Sequence, residues 1–271
     1  VQAAPIAAKA RAGQFVIVRM REDTERVPLT LSDWSKEAGT ITIIFQHIGR
    51  STCELGTIEP GDSLRDVVGP LGRATEVEKF GTVVCVGGGI GVAELRPIAR
   101  SMKQAGNTVI SIIGARDKSL ILLEGEMRAA SDELYITTDN GSYGRKGVVS
   151  EVLADLLPAT SSVEAKDGRK IDIVYAIGPV PMMRVVAEQT RPHGLKTIVS
   201  LDAIMIDGTG MCGACRVTVG GQTKFTCCDG PDFDAHQVNW DELVARKKMY
   251  LPQEKEQMER YLEGCAGGCR K

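Results

Sequence analysis

Aromatic residues make up only 4% of this 271-residue sequence, and histidine occurs three times. With so few histidines and no nucleophile paired with a base, hydrolytic chemistry is excluded as a first expectation. Neither sign of charge dominates: 33 Lys and Arg stand against 35 Asp and Glu, a net charge of −2, so nothing points electrostatically to nucleic acid. No apolar run approaches the ~20 residues of a membrane helix. No signal peptide, internal repeat or low-complexity stretch is visible. What remains is an ordinary globular composition, 43% hydrophobic and 25% charged, whose cores must be filled by aliphatic side chains. The length suggests two or three units.

Cysteine is unevenly spread. Of eight, Cys53 and Cys85 stand alone and six follow position 210. A secreted disulfide scaffold would be smaller and more evenly stapled, so the clustering predicts a metal site in a reducing compartment and a cytoplasmic protein.

The chain divides into three. Residues 1–78 carry β-rich runs, Gly13–Met20 and Gly39–Phe45, with turn chemistry at Glu59–Asp62 and Gly69–Gly72, and predict a small antiparallel barrel. Residues 79–200 alternate strand and helix: strands at Thr82–Val86, Val109–Ile113, Glu133–Thr137 and Ile171–Ile177, helices at Val92–Gln104 and Val148–Leu157. Such alternation predicts a doubly wound α/β domain. Residues 201–271 are rich in cysteine and glycine and end in a charged helical stretch, Asp241–Leu262.

Gly87, Gly88, Gly89 and Gly91 join a buried strand to a helix, where glycine lets backbone approach a pyrophosphate. The strict G-x-G-x-x-G spacing is not met, so a plain tight turn competes. Gly178-Pro179 and Met182, after another buried strand, fall at the same carboxyl edge, where open α/β sheets bind ligands. Met183 suits a helix core. Arg116 suits a ribose 2′-phosphate and Asp117 a 2′-hydroxyl, which leaves NADH against NADPH open.

In the first segment Arg26-Val-Pro-Leu-Thr30 is followed by Gly49-Arg-Ser-Thr52, taken alone an arginine in a loop and an ordinary turn. In this order, before G-G-G-x-G and G-P-x-x-M, they resemble the ferredoxin–NADP reductase superfamily. The resemblance implies that Arg26 meets the FAD pyrophosphate, that Pro28, Leu29 and Thr30 contact FAD, and that Gly49, Ser51 and Thr52 cradle its phosphates.

Cys212-x2-Cys215 and Cys227 fit a plant-type [2Fe–2S] spacing, except that Asp207 occupies the place of the first cysteine. A carboxylate can ligate ferric iron, so Asp207, Cys212, Cys215 and Cys227 form the candidate ligand set. Zinc is the rival, but a ribbon shows two C-x2-C knuckles and only one is present. Asp207–Arg216 with Phe225–His236 resembles the small-subunit family of NADH-dependent ferredoxin:NADP oxidoreductases and sulfide dehydrogenase β subunits. It is more distantly similar to dihydroorotate dehydrogenase electron-transfer subunits. That resemblance selects Cys227 over Cys228 and leaves His236 a loop residue. It also implies a further strand ahead of the stretch matching Val1. The tail cysteines Cys265 and Cys269 are not part of it; they are incidental, or ligands completed by a partner.

The expected function is an electron-transfer flavoprotein subunit using FAD, NAD(H) and [2Fe–2S]. The resemblance implies a larger, glutamate-synthase-like flavin and iron–sulfur partner subunit, with or without further subunits, and electron bifurcation among NAD(H), NADP(H) and ferredoxin. The alternatives are electron transfer for dihydroorotate or sulfide oxidation and, in another class, a zinc-binding adaptor without catalysis.

Overall fold

Phe15, Val16, Ile17 and Val18 are all buried, although side chains alternate along a strand. Both faces of that strand must therefore be covered. The computed structural model describes residues 1–157 and 170–264. In it β1 (Phe15–Arg19) pairs on both sides within a four-stranded antiparallel sheet with β2 (Arg26–Ser35), β3 (Thr40–Ile43) and β4 (Asp66–Leu71), in the order β3-β2-β1-β4. Val16 and Val18 pack on Leu29, Leu31 and Ile41, a small core that α1 (Ala4–Ala7) covers with Ala7. Phe15 and Ile17 face away, into a second core shared with Cys215, Cys227 and Phe233. The expected antiparallel unit is thus present as a four-stranded sheet. Two local expectations are corrected. Gly69 and Pro70 lie inside β4 and not in a turn, because the strand carries an irregularity opposite Phe15–Ile17 that absorbs them. Gly49–Thr52 opens a helix, α2 (Arg50–Leu55), in which Glu54 accepts from Arg50 Nε at 2.8 Å.

The second sheet is built from β5 (Thr82–Gly88), β6 (Thr108–Ala115), β7 (Glu133–Thr138), β8 (Arg145–Lys146), β9 (Ile173–Ile177) and β10 (Thr197–Ser200), all parallel. Val83 and Cys85 pack under α3 (Val92–Gln104) and α4 (Glu124–Ala130). Val84 and Val86 pack under α5 (Val149–Leu156) and α6 (Val180–Thr190). Burial on both faces is why these strands read as continuous apolar runs. Strand order runs β10-β9-β5-β6-β7-β8, so the direction of winding reverses at β5, and a crevice opens above its carboxyl end.

The cysteine-rich section is not separate from this sheet. A hairpin of β11 (Arg216–Val219) and β12 (Gln222–Phe225) turns at Gly220-Gly221, both at positive φ, and β13 (Asp232–Asp234) then adds antiparallel to β10 as a seventh strand. The charged stretch at the end forms two helices, α7 (Trp240–Lys247) and α8 (Leu251–Gly264), where one was expected. Asn239 caps α7 by accepting from Glu242 N, and Pro252 stands in the first turn of α8, where proline is tolerated and the preceding turn cannot continue as helix. Cys265 and Cys269 lie outside the described residues.

Candidate functional site

One cleft of about 1990 Å³ collects most of the residues singled out in the sequence. From the first sheet it is lined by Arg26, Pro28, Leu29 and Thr30, all on β2, and by Gly49, Ser51 and Thr52 at the start of α2. Its other wall is the carboxyl edge of the parallel sheet: Gly88 at the end of β5 with Gly89 and Gly91 after it, Arg116 after β6, and Gly178, Pro179 and Met182 after β9. A partly buried acid clasp holds the two walls together. Asp33 on β2 accepts from Arg96 and Arg100 of α3, each at 2.8 Å, and Arg100 also stacks over Trp34 at 5.4 Å. Burial alone would push the Asp33 carboxyl up; the two guanidinium hydrogen bonds outweigh it and hold the carboxyl below the usual range.

The residues differ in what they leave free. Gly89 sits at φ +54° with nothing within 4 Å of where a Cβ would stand, so bare backbone faces the cleft there. Gly91 packs the other way: a Cβ would lie 2.4 Å from the carbonyl oxygen of Ile177. Gly87 does not line the cleft; it is a packing glycine beneath Val92 and Leu95. The Met182 sulfur lies over Gly88, while Met183 is fully buried in the core. Thr52 Oγ1 accepts from the Gly49 and Ile48 amides, at 3.2 and 3.1 Å, which shapes the turn, and Ser51 Oγ donates to Glu25 at 2.7 Å. Asp117 is turned away from the cleft: the Ser119 hydroxyl and amide bind its carboxyl and hold it below the usual range, whereas Arg116 is exposed on the lining.

From Ser200 to Ile206 the chain runs along the cleft floor, and the next residue is Asp207. The cysteine loop that follows leans on the first sheet: a Cβ on Gly208 would lie 2.7 Å from Ile17 Cγ1, and Arg73 donates to the Cys228 carbonyl at 3.1 Å. Cys215 and Cys227 are buried with sulfurs 3.2 Å apart. Burial pushes the Cys227 thiol up, with Cys215 and Cys228 beside it adding to the effect. Cys212 and Cys228 are exposed; the Cys228 sulfur is 3.6 Å from that of Cys227. Asp207 accepts from Thr209 N at 2.7 Å and from Cys212 N at 2.9 Å, and these donors hold its carboxyl below the usual range. Among the described residues no three His, Cys, Asp or Glu side chains converge as a closed ligand set. The donor types nevertheless suit an iron–sulfur centre: two thiols meet at contact distance, and a third thiol and a carboxylate share their loop. His236 is elsewhere, with Nε2 3.0 Å from Thr190 Oγ1.

Comparison with known proteins fits this arrangement. Residues 202–239 match the iron–sulfur cluster binding domain of dihydroorotate dehydrogenase B. A dihydroorotate dehydrogenase B (NAD+) electron transfer subunit homolog of Thermotoga maritima is 45% identical over 258 residues, which is 95% of this chain and 88% of that protein. The electron transfer subunit of the same enzyme from Geobacillus thermodenitrificans is 36% identical over 83% of this chain and 86% of its own length. The chain belongs to the family of dihydroorotate dehydrogenase B electron-transfer subunits. The chain is also similar in structure to a chain of the NADH-dependent reduced ferredoxin–NADP oxidoreductase, studied for flavin-based electron bifurcation: 44% identity, TM-score 0.88, covering 96% of this chain and 91% of that one. This electron-transfer subunit is therefore an oxidoreductase component with a reductase-like flavoprotein body and an iron–sulfur domain. FAD, NAD(H) and an iron–sulfur cluster are the cofactors that accompany that membership, and the zinc adaptor is set aside. Among the described residues no helix is long and apolar enough to cross a membrane.

Two contributors to the cleft carry no sequence motif. One is α8, whose Leu251, Gln257 and Met258 line it and whose Gln257 accepts from Arg50 at 3.3 Å. The other is Glu94, partly buried in the first turn of α3 and hydrogen-bonded to Thr30 and Ser200. An exposed apolar–charged helix gives no periodic signal toward a distant cleft, and a glutamate in a first helical turn reads as an ordinary dipole partner.

Proposed function

We propose that this chain is the NADH-oxidising, diaphorase-like subunit of a cytoplasmic complex that splits electron pairs among NAD(H), NADP(H) and ferredoxin. Residues 1–78 bind FAD, 79–200 bind NAD(H), and 201–271 bind a [2Fe–2S] cluster. FAD supplies the conversion of a two-electron hydride into single electrons, and the cluster carries those onward. Arg26, exposed on the lining, meets the pyrophosphate, and Pro28, Leu29 and Thr30 fix the ring. Gly49, Ser51 and Thr52 support the phosphates. Gly88, Gly89, Gly91, Gly178, Pro179 and Met182 position the nicotinamide against that ring, with Arg116 toward the ribose. Gly87 serves by letting α3 close on β5. Cys212, Cys215 and Cys227 hold the cluster with Asp207, whose carboxylate exchanges its backbone donors for iron. The acceptor is a larger flavin and iron–sulfur subunit resembling glutamate synthase.

The observation that carries this reading is continuity: residues 200–206 line the cleft and lead directly into the loop of Asp207 and Cys212, so the hydride site and the cluster site share one short segment. A second reading, electron delivery for dihydroorotate oxidation, is favoured by the matched cluster domain and by the name of the Thermotoga relative.

The test is the iron, sulfide, zinc and flavin content of anaerobically purified protein, with an EPR spectrum after reduction by NADH. Two irons, one FAD and an NADH-reducible [2Fe–2S] signal are expected, with the signal lost in Cys215→Ser and retained in Cys228→Ser. Zinc without flavin would overturn the assignment. Co-purification with a dihydroorotate-oxidising subunit would decide for the second reading.

A further inference from the structure

Glu94 and Asp232 are both partly buried acids, with Asp232 Oδ1 closed off from solvent, and no lysine or arginine pairs with either among the described residues. They come from different segments, α3 and β13, and meet at Ser200 on β10. Ser200 Oγ donates to Glu94 Oε1 and also faces the Asp232 carboxyl. On the flavin side Thr30 Oγ1 donates to Glu94 Oε2 at 3.3 Å. On the far side Thr75 Oγ1 donates to Asp232 Oδ2 at 2.6 Å, while Asp232 Oδ1 has no hydrogen-bond partner among the described residues.

Ser200 has one hydroxyl hydrogen and cannot satisfy two carboxylates with it. Two partly buried anions around a single serine would also repel each other with no cation paired to either. At least one of the two acids therefore carries its own proton. Burial drives both upward, Glu94 to about 8 and Asp232 to about 6, and the charges of Asp232 and Asp202 act in the same direction on Glu94. The Tyr175 phenol also faces Asp232; it is itself pushed up, chiefly by burial, and its hydroxyl donates to the Glu76 carbonyl at 3.1 Å.

We propose that Glu94 and Asp232, linked through Ser200, form a proton store for the flavin site, exchanging one proton with bound FAD through the Thr30 hydroxyl. The assignment rests on the placement of FAD against Thr30 given above. Hydride from NADH brings two electrons and one hydrogen nucleus to the flavin. When both electrons leave singly to the oxidised cluster, one proton remains to be removed. Thr30 Oγ1 passes its own hydrogen to Glu94 Oε2 and takes the flavin proton in exchange, so the Glu94 carboxylate becomes the acid. Electrons entering from the cluster run the same exchange backward, and Ser200 performs it between Glu94 and Asp232.

The test uses the holoprotein with Glu94→Gln and Asp232→Asn, since both amides keep hydrogen-bonding capacity and preserve a purely structural clasp. Infrared spectra between pH 5 and 9, in H2O and D2O, should show a deuterium-sensitive carboxylic acid band. It should bleach around pH 8, and Glu94→Gln should remove that component. In stopped-flow, transfer from NADH-reduced flavin to the cluster should speed up as pH rises toward 8 and then level. Glu94→Gln should be about 100-fold slower and flat with pH. A missing acid band, or a Glu94→Gln variant with the wild-type rate and pH profile, would overturn the proton store and leave a clasp. A wild-type protein lacking FAD by pigment analysis would overturn the flavin placement and the store's role with it, and the band would then identify the acid alone.

Discussion

Gly91→Ala separates two opposite expectations. Gly91 has φ −58° and ψ −20°, a conformation alanine adopts freely at the start of α3. Helix propensity and the entropy of the unfolded chain therefore predict a gain of about 0.4–1 kcal/mol. The structure predicts the reverse. A Cβ there would lie 2.4 Å from Ile177 O, 2.7 Å from Ile177 C and 2.8 Å from Gly178 Cα. All three atoms are backbone at the end of β9, so no rotamer change relieves the contact. Carbon–oxygen contacts settle near 3.3–3.6 Å, so the first turn of α3 must withdraw by about 1 Å. Overpacking of this kind costs about 1–3 kcal/mol. The net expectation is a loss of about 1–2 kcal/mol, or a melting temperature lower by about 2–8 °C. Because the withdrawal moves the loop proposed to face NAD(H), KM for NADH should rise while flavin content is kept. Thermal unfolding of both holoproteins, with NADH titrations of the same samples, reads both effects. A melting temperature equal to or above wild type would refute the packing account.

Two further outcomes are expected. Asp33→Ala should destabilise the protein by about 1–3 kcal/mol at pH 7, because two guanidinium groups lose their shared partner. The depressed Asp33 carboxyl contributes above its unfolded value of 3.8 and stops contributing as pH falls through the lower folded value, so wild type and variant should converge in urea melts taken to acid below that folded value. Glu94 behaves oppositely. Its folded value lies above the unfolded 4.5, so the folded state holds a proton that the unfolded chain releases, and stability declines as pH rises from 4.5 to about 8. Relative to Glu94→Gln, wild type should lose on the order of 3–5 kcal/mol across that window in denaturant titrations; a constant difference would show Glu94 ionised throughout.

The parallel sheet was legible because β5, β6 and β9 are apolar on both faces and end at glycines or turns. The glycine turn after β5 and Gly178-Pro179 after β9 announced the cleft for the same reason. β2 was harder, since Pro28, Asp33 and Arg26 dilute the strand pattern and Pro28 suggests a break. α2 hid behind Gly49, and β13 behind its brevity and its two aspartates. The Glu94, Ser200 and Asp232 constellation has no local signature. Its contacts join residues 64, 106 and 157 positions apart, and each member is individually an ordinary polar residue. Only tertiary burial gives those carboxyls their character.

The pairing of β13 with β10 has a consequence for biosynthesis. The edge of the nucleotide-binding sheet is finished by residues 232–234, beyond the last cysteine of the cluster loop. A nascent chain halted before them exposes β10 as an unpaired edge, the kind of surface that recruits other strands. Emergence of this one short strand therefore closes the sheet and brings Phe233 beneath Cys215 and Cys227 in a single event.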